Sequence, residues 1–207
     1  IGIKVFLRLF NFKSFIGISL CTLLTTFFGM FEKLIVSNHL NAFDFNIYLL
    51  VTYLAYSIVQ VFYPVTTITY PYMNKKQWSA KTFKLVTVYL SLTICTLLIL
   101  FNHFFYFAFI EFWLVNSELI ARITDLGFLS WLVMFSIAFS VMPDSFLFTI
   151  RKERYLIAFR LLQIMLFPAL MYFYGGESLR ASLNVFFAIG LLYTFLVWLS
   201  FLTSEAP

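Results

Sequence analysis

Long apolar runs separated by short polar connections occupy almost the whole chain. Each run reaches the roughly 20 residues that a helix needs to cross the hydrocarbon of a bilayer. Their Phe, Leu, Ile, Val and Thr residues do not alternate strictly with polar ones, which disfavours β-barrel strands. Backbone groups in lipid must be satisfied within their own segment, which favours helices. The pattern predicts an all-α polytopic membrane protein, a six-transmembrane-helix bundle in a single membrane domain (1–207), with spans at about 15–36, 46–71, 85–110, 126–150, 155–174 and 183–203.

The distribution of charge predicts the orientation of this bundle. The chain is 62% hydrophobic and only 11% charged, whereas a soluble domain carries about 25% charged residues. Eleven of the 14 Lys and Arg residues fall on one side of the predicted spans, and Lys33, Arg122 and Arg180 fall on the other. The positive-inside rule then predicts a multi-pass protein of the cytoplasmic (inner) membrane with both termini in the cytoplasm. The net charge of +5 is therefore a topological signal, and no basic-aromatic platform for nucleic acid accompanies it.

The residues that usually carry catalysis or bind metals are scattered. Cys21 and Cys95 lie within apolar spans, where we interpret them as small apolar fillers. His39 and His103 are isolated, and no metal-ligand spacing, phosphate-binding loop or hydrolase motif is present in the sequence. These observations predict no metal, no cofactor and no enzymatic activity. The longest outer connection, 111–125, interleaves charged and apolar residues and is expected to form an amphipathic surface helix.

Two charged residues flank the turn between the fourth and fifth spans. Asp144 lies six residues before Ile150, and Arg160 lies six residues after Arg154. Both should therefore lie roughly 9 Å in from the same membrane edge, at 1.5 Å per helical residue. A charge inside a span is a functional candidate, so the pattern indicates an intramembrane Asp144–Arg160 pair. The alternative is that Arg160 extends to the headgroups while Asp144 caps a kink at Pro143.

The second span carries a stripe of polar and aromatic residues. Tyr53, Tyr56, Gln60 and Tyr63 are spaced by three, four and three residues and share one helical face. We interpret this face as lining a substrate path, and the alternative is ordinary contact with neighbouring helices. Pro64 is expected to kink the same helix.

The order of several features resembles that of a known transporter superfamily. The first span ends in Glu32-Lys33 and an apolar run. The second opens at Tyr48, where an aromatic ring is expected to anchor the span at the interface, and it ends at Pro71 before a Lys-rich loop. The fourth ends at the basic turn 151–154, before two antiparallel spans. Over nearly its whole length, the chain resembles the C-terminal half of a polysaccharide-exporter or O-antigen flippase of the multidrug/oligosaccharidyl-lipid/polysaccharide flippase superfamily.

This resemblance implies a function and a partner. Its members consist of two six-helix bundles that face a central cavity and rock to open it on alternate sides. The implied activity is translocation of a lipid-linked (polyprenyl-diphosphate) oligosaccharide across the cytoplasmic membrane for surface polysaccharide biosynthesis. The resemblance also implies a role for Glu32 at the border of the cavity. The chain starts at Ile1, so we expect a fragment whose partners are membrane lipid, the lipid-linked oligosaccharide and a missing N-terminal six-helix half.

Two other classes of function remain open at this point. An O-antigen polymerase or membrane glycosyltransferase commonly carries acids or Arg in sizeable outer loops, and the short connection 111–125 is the candidate segment here. The second alternative is an accessory membrane protein without transport activity of its own.

Overall fold

A computed structural model describes residues 12–62, 64–66, 68, 79–104, 106–114, 116–150, 152–176 and 178–204. These residues are almost entirely helical and none of them is in a strand, which confirms the predicted all-α membrane class. A π-helical turn, Met171–Gly175, directly follows the helix Glu153–Leu170. The helices are α1 (Phe12–Ser37), α2 (Ala42–Gln60), α3 (Ala80–Phe104), α4 (Tyr106–Trp113), α5 (Ser117–Asp125), α6 (Gly127–Thr149), α7 (Glu153–Leu170) and α8 (Leu179–Thr203).

Five helices within the described residues are long and apolar enough to cross a membrane, namely those containing Ile16–Ser37, Lys81–Phe101, Gly127–Phe148, Glu153–Gly175 and Leu179–Thr203. The predicted count of six is not confirmed. The exception is α2, which ends at Gln60. Residues 61 and 62 form a turn, and residues 64–66 and 68 are helical again. A proline ring clashes with the carbonyl four residues earlier, and for Pro64 that residue is Gln60. The kink predicted at Pro64 is thus a break in the helix just before it.

The central helix of the bundle is α6. It packs against α2, α3 and α8, whereas α7 packs mainly against α1 and α8. Small and hydroxylated residues let α6 and α8 approach closely, as is common between membrane helices. A Cβ atom added at Gly190 would lie only 2.7 Å from the Ser136 hydroxyl oxygen. The hydroxyl of Thr194 also donates a 2.6 Å hydrogen bond to the Ser136 carbonyl.

Polar contacts mark the two ends of the bundle. At one end, the Lys84 ammonium donates a 2.8 Å hydrogen bond to the carbonyl of Leu202, so the start of α3 lies beside the end of α8. The opposite end holds a polar pocket of about 310 Å³, lined in part by Asp44, Arg122 and Arg180.

The predicted surface helix is shorter than expected. The described part of 111–125 contains the end of α4 and all of α5, and a break at Asn116 divides them. The side-chain oxygen of Asn116 accepts hydrogen bonds from the backbone N–H groups of Glu118 (2.9 Å) and Leu119 (3.3 Å). This is the interaction of an N-cap, so the amphipathic helix begins at Ser117 and not at residue 111.

Candidate functional site

Asp144 and Arg160 meet inside the bundle. The Arg160 Nη2 atom lies 3.9 Å from Asp144 Oδ2. The Tyr193 hydroxyl, on α8, lies 2.9 Å and 3.0 Å from the two carboxylate oxygens. The guanidinium carbon of Arg160 lies 3.8 Å from the centre of the Tyr193 ring, a cation–π geometry. The structure thus brings the predicted pair together and adds a tyrosine that touches both partners.

Gln163 holds Arg160 in place from the next turn of α7. Arg160 Nη1 donates a 2.8 Å hydrogen bond to Gln163 Oε1. The Gln163 amide in turn donates a 3.5 Å bond to the carbonyl of Ile189 on α8. Sequence reasoning missed both Gln163 and Tyr193. The position of Gln163, three residues after Arg160, was a usable signal, because residues three apart are neighbours on a helix.

These side chains line a cavity of about 110 Å³ between five helices. One water needs about 10–15 Å³ of such space, so the cavity has room for several waters or one small polar group. Its wall combines hydroxyl, amide, charged and aromatic side chains. The lining residues are Thr25, Phe28, Tyr56, Gln60, Ser136, Ile137, Ser140, Asp144, Arg160, Gln163, Phe186, Ile189, Gly190 and Tyr193.

Only part of the polar and aromatic stripe predicted on α2 faces the cavity. Tyr56 and Gln60 line the cavity. Tyr53 does not, because it is 51% exposed and lies on the outer face of α2. The ammonium of Lys33 lies 4.1 Å from the centre of the Tyr53 ring. Tyr63 lies outside the described residues.

Glu32 also lies in the interior, but away from this cavity. It is 0% exposed, and the Tyr48 hydroxyl donates a 2.5 Å hydrogen bond to Glu32 Oε1. Glu32 Oε2 has no hydrogen-bond partner among the described residues. The prediction that Tyr48 anchors the span at the interface is wrong, because Tyr48 is also 0% exposed. Its hydroxyl finds a carboxylate inside the bundle instead of water at the membrane surface.

No protein-family model, curated protein or solved structure matches this chain. The chemistry of the site must therefore be read from its own geometry. Within the ranges that the structure describes, no group of three or more His, Cys, Asp and Glu side chains could hold a metal ion. The cavity offers hydrogen bonds, a charge pair and aromatic faces. That combination is suited to polar groups.

Proposed function

We propose that this chain is the membrane-embedded part of a transporter for a polar cargo. The observation that carries the proposal is the Asp144–Arg160 pair, which lines a cavity within an apolar bundle. Ionisable residues at membrane depth are energetically costly and commonly mark the pathways of substrates or ions.

The geometry of the pair leaves Arg160 able to engage an anionic group. The 3.9 Å separation from Asp144 exceeds the 2.7–3.2 Å of a direct hydrogen bond. Arg160 Nε also has no hydrogen-bond partner among the described residues. A guanidinium recognises phosphate through two parallel N–H donors. Turning toward a diphosphate would therefore break no direct hydrogen bond to Asp144.

The cargo that we propose is a lipid-linked (polyprenyl-diphosphate) oligosaccharide, translocated for surface polysaccharide biosynthesis. The support for this cargo is the sequence resemblance to one half of an O-antigen flippase, together with the polar cavity. A cavity of about 110 Å³ must widen to pass a sugar head, which alternating access provides. The exposed side of α2 carries Tyr53, whose ring meets Lys33 of α1, and this side is where we place the second half of such a transporter. The charge distribution supports a cytoplasmic membrane location with both termini inside.

A leaflet-exchange assay tests this proposal. The complete transporter, this chain together with the proposed second half, is reconstituted in vesicles with a fluorescent polyprenyl-diphosphate oligosaccharide, and an impermeant quencher reports the fraction in the outer leaflet. We expect the protein to make the protected pool accessible, and Asp144→Asn/Arg160→Met, which leaves no unpaired buried charge, to abolish this exchange. Arg154→Met is the matched control, because Arg154 is an exposed arginine on the same helix outside the cavity lining. No exchange by the unmodified protein, or equal loss in both variants, would contradict the proposal.

The same experiment separates the other two classes of function. Mass analysis of the recovered lipid would show a lengthened glycan if the protein were a polymerase or glycosyltransferase. An accessory protein would change neither the leaflet distribution nor the glycan.

A further inference from the structure

Three carboxylates are buried among the described residues, Glu32, Asp144 and Glu153, and the first two have contrasting surroundings. Asp144 faces the positive charge of Arg160 and the hydroxyl of Tyr193. Glu32 accepts a tyrosine hydroxyl, and among the described residues no cation forms an ion pair with it. When the environments of two titratable groups differ in this way, the groups take different acid–base roles. We propose that Glu32 is a proton-binding site, separate from the Asp144–Arg160 pair and closed off from its cavity by Phe186.

The surroundings of Glu32 favour a carboxyl that accepts a proton. Oε1 accepts the Tyr48 hydroxyl, and Oε2 has no partner among the described residues. The titratable groups that act on Glu32 there are Tyr48, from α2, and its neighbour Lys33. Adjacent helical residues point about 100° apart, and the Lys33 ammonium lies over the Tyr53 ring. An ionised carboxylate without a paired cation is strongly disfavoured in an apolar interior, so the neutral acid is the stable form.

The proton balance of the site is simple. A proton passes from water to Oε2 of Glu32, and the site changes from a net charge of −1 to 0. Tyr48 keeps its own hydroxyl hydrogen throughout and continues to donate it to Oε1. A bound metal ion fits less well, because hard cations take about six or more oxygen ligands. Glu32 and Tyr48 supply three side-chain oxygens, and among the described residues Glu32 belongs to no group of three or more His, Cys, Asp and Glu side chains that could hold a metal ion.

Phe186 of α8 separates this site from the cavity. It is 3% exposed and forms part of the cavity wall. The Tyr48 ring meets it edge-on with centroids 6.2 Å apart, and the Tyr56 ring does the same at 6.3 Å. Tyr48 belongs to the Glu32 site and Tyr56 to the cavity lining. The phenylalanine therefore stands between a proton site and a polar cavity, and its displacement would join them.

Infrared titration tests the proton site without any cargo. A protonated carboxylic acid has a carbonyl stretching band that the ionised form lacks. In the full protein in lipid vesicles, we expect such a band to persist at neutral pH and to disappear in Glu32→Gln. Asp144→Asn is the matched control and should retain the band. Absence of the band from the unmodified protein, or its loss in Asp144→Asn alone, would overturn the proposal.

A second variant identifies the carboxyl even if Glu32→Gln fails to fold. Tyr48→Phe removes the hydrogen bond to Oε1, so the band should move to higher frequency while its area is unchanged. An unmoved band would show that the acid lies elsewhere and would overturn the assignment.

Proton leak across the vesicles tests the role of Phe186. With a pH-sensitive dye trapped inside, Phe186→Ala should raise the leak several-fold, and adding Glu32→Gln should return it to the original rate. A leak that persists in the double variant would contradict the separation by Phe186.

A role for Glu32 in driving transport rests on the proposed function, but the band and the leak do not. The band without leaflet exchange would therefore support the proton site and reject the flippase. Leaflet exchange without the band would support the flippase and reject the proton site.

Discussion

Removing one member of the Asp144–Arg160 pair should destabilise the bundle more than removing both. Arg160→Met leaves Asp144 buried without its cation, and Asp144→Asn leaves the guanidinium without its anion. The double variant buries neither charge, and its asparagine oxygen can still accept a hydrogen bond from Tyr193. The two substitutions are therefore expected to be strongly non-additive.

The magnitude follows from the geometry. Two unit charges about 4 Å apart, close to the 3.9 Å found here, interact by about 4 kcal/mol at an effective dielectric constant of 20. Breaking a buried pair by removing one partner typically costs about 3–5 kcal/mol, whereas replacing both charges by apolar groups is often nearly neutral. We expect the free energy of unfolding to fall by about 3–5 kcal/mol in each single variant and by about 1 kcal/mol in the double variant.

Reversible unfolding in mixed micelles measures these free energies. Trp198 is a suitable fluorescent reporter, because its ring stacks on Phe139 with centroids 4.8 Å apart and joins α8 to α6. Arg154→Met serves as the control for loss of an arginine elsewhere on α7. If the double variant loses as much free energy of unfolding as the two single variants combined, the two residues are not coupled and the electrostatic reasoning fails.

Two further predictions concern packing and topology. Gly190→Ala should cost about 1–3 kcal/mol by overpacking, because the added Cβ would meet the Ser136 side chain. Ser136→Gly should restore part of that loss, and failure to do so would mean that the clash lies elsewhere. In intact cells, an impermeant thiol reagent should label a cysteine placed at Asn41 but not one placed at Ser79. The native Cys21 and Cys95 are buried and give a low background, and the reverse labelling pattern would contradict the predicted orientation.

Hydrophobic length and local spacing predicted much of the fold and one part of the site. Long apolar runs correctly predicted most of the long helices, because a helix that crosses the membrane must be about as long as the hydrocarbon layer is thick. The meeting of Asp144 and Arg160 followed from their equal distance from one short turn. Both inferences use only local geometry and helical rise.

Contacts between distant segments could not be predicted in the same way. The spacing of Tyr53 and Tyr56 shows that they share a face, but not which neighbouring helix that face meets. Tyr48 is buried because Glu32, on another helix, accepts its hydroxyl. Tyr193 reaches Asp144 from a helix that starts after the hairpin has ended. Such pairings depend on how helices are arranged around α6, which no local pattern in a single sequence encodes.

The late position of α6 and α7 in the chain has a consequence for biosynthesis. The main packing partner of α1 is α7, which begins at Glu153. At a synthesis rate of about 5–20 residues per second, α1 waits roughly 7–27 seconds in the bilayer before that partner has been made. During this interval Glu32 can pair with segments that have already been made, such as α2. The packing face that α1 presents to α7 is therefore covered by lipid, or by membrane insertion factors, until translation reaches the second half of the bundle.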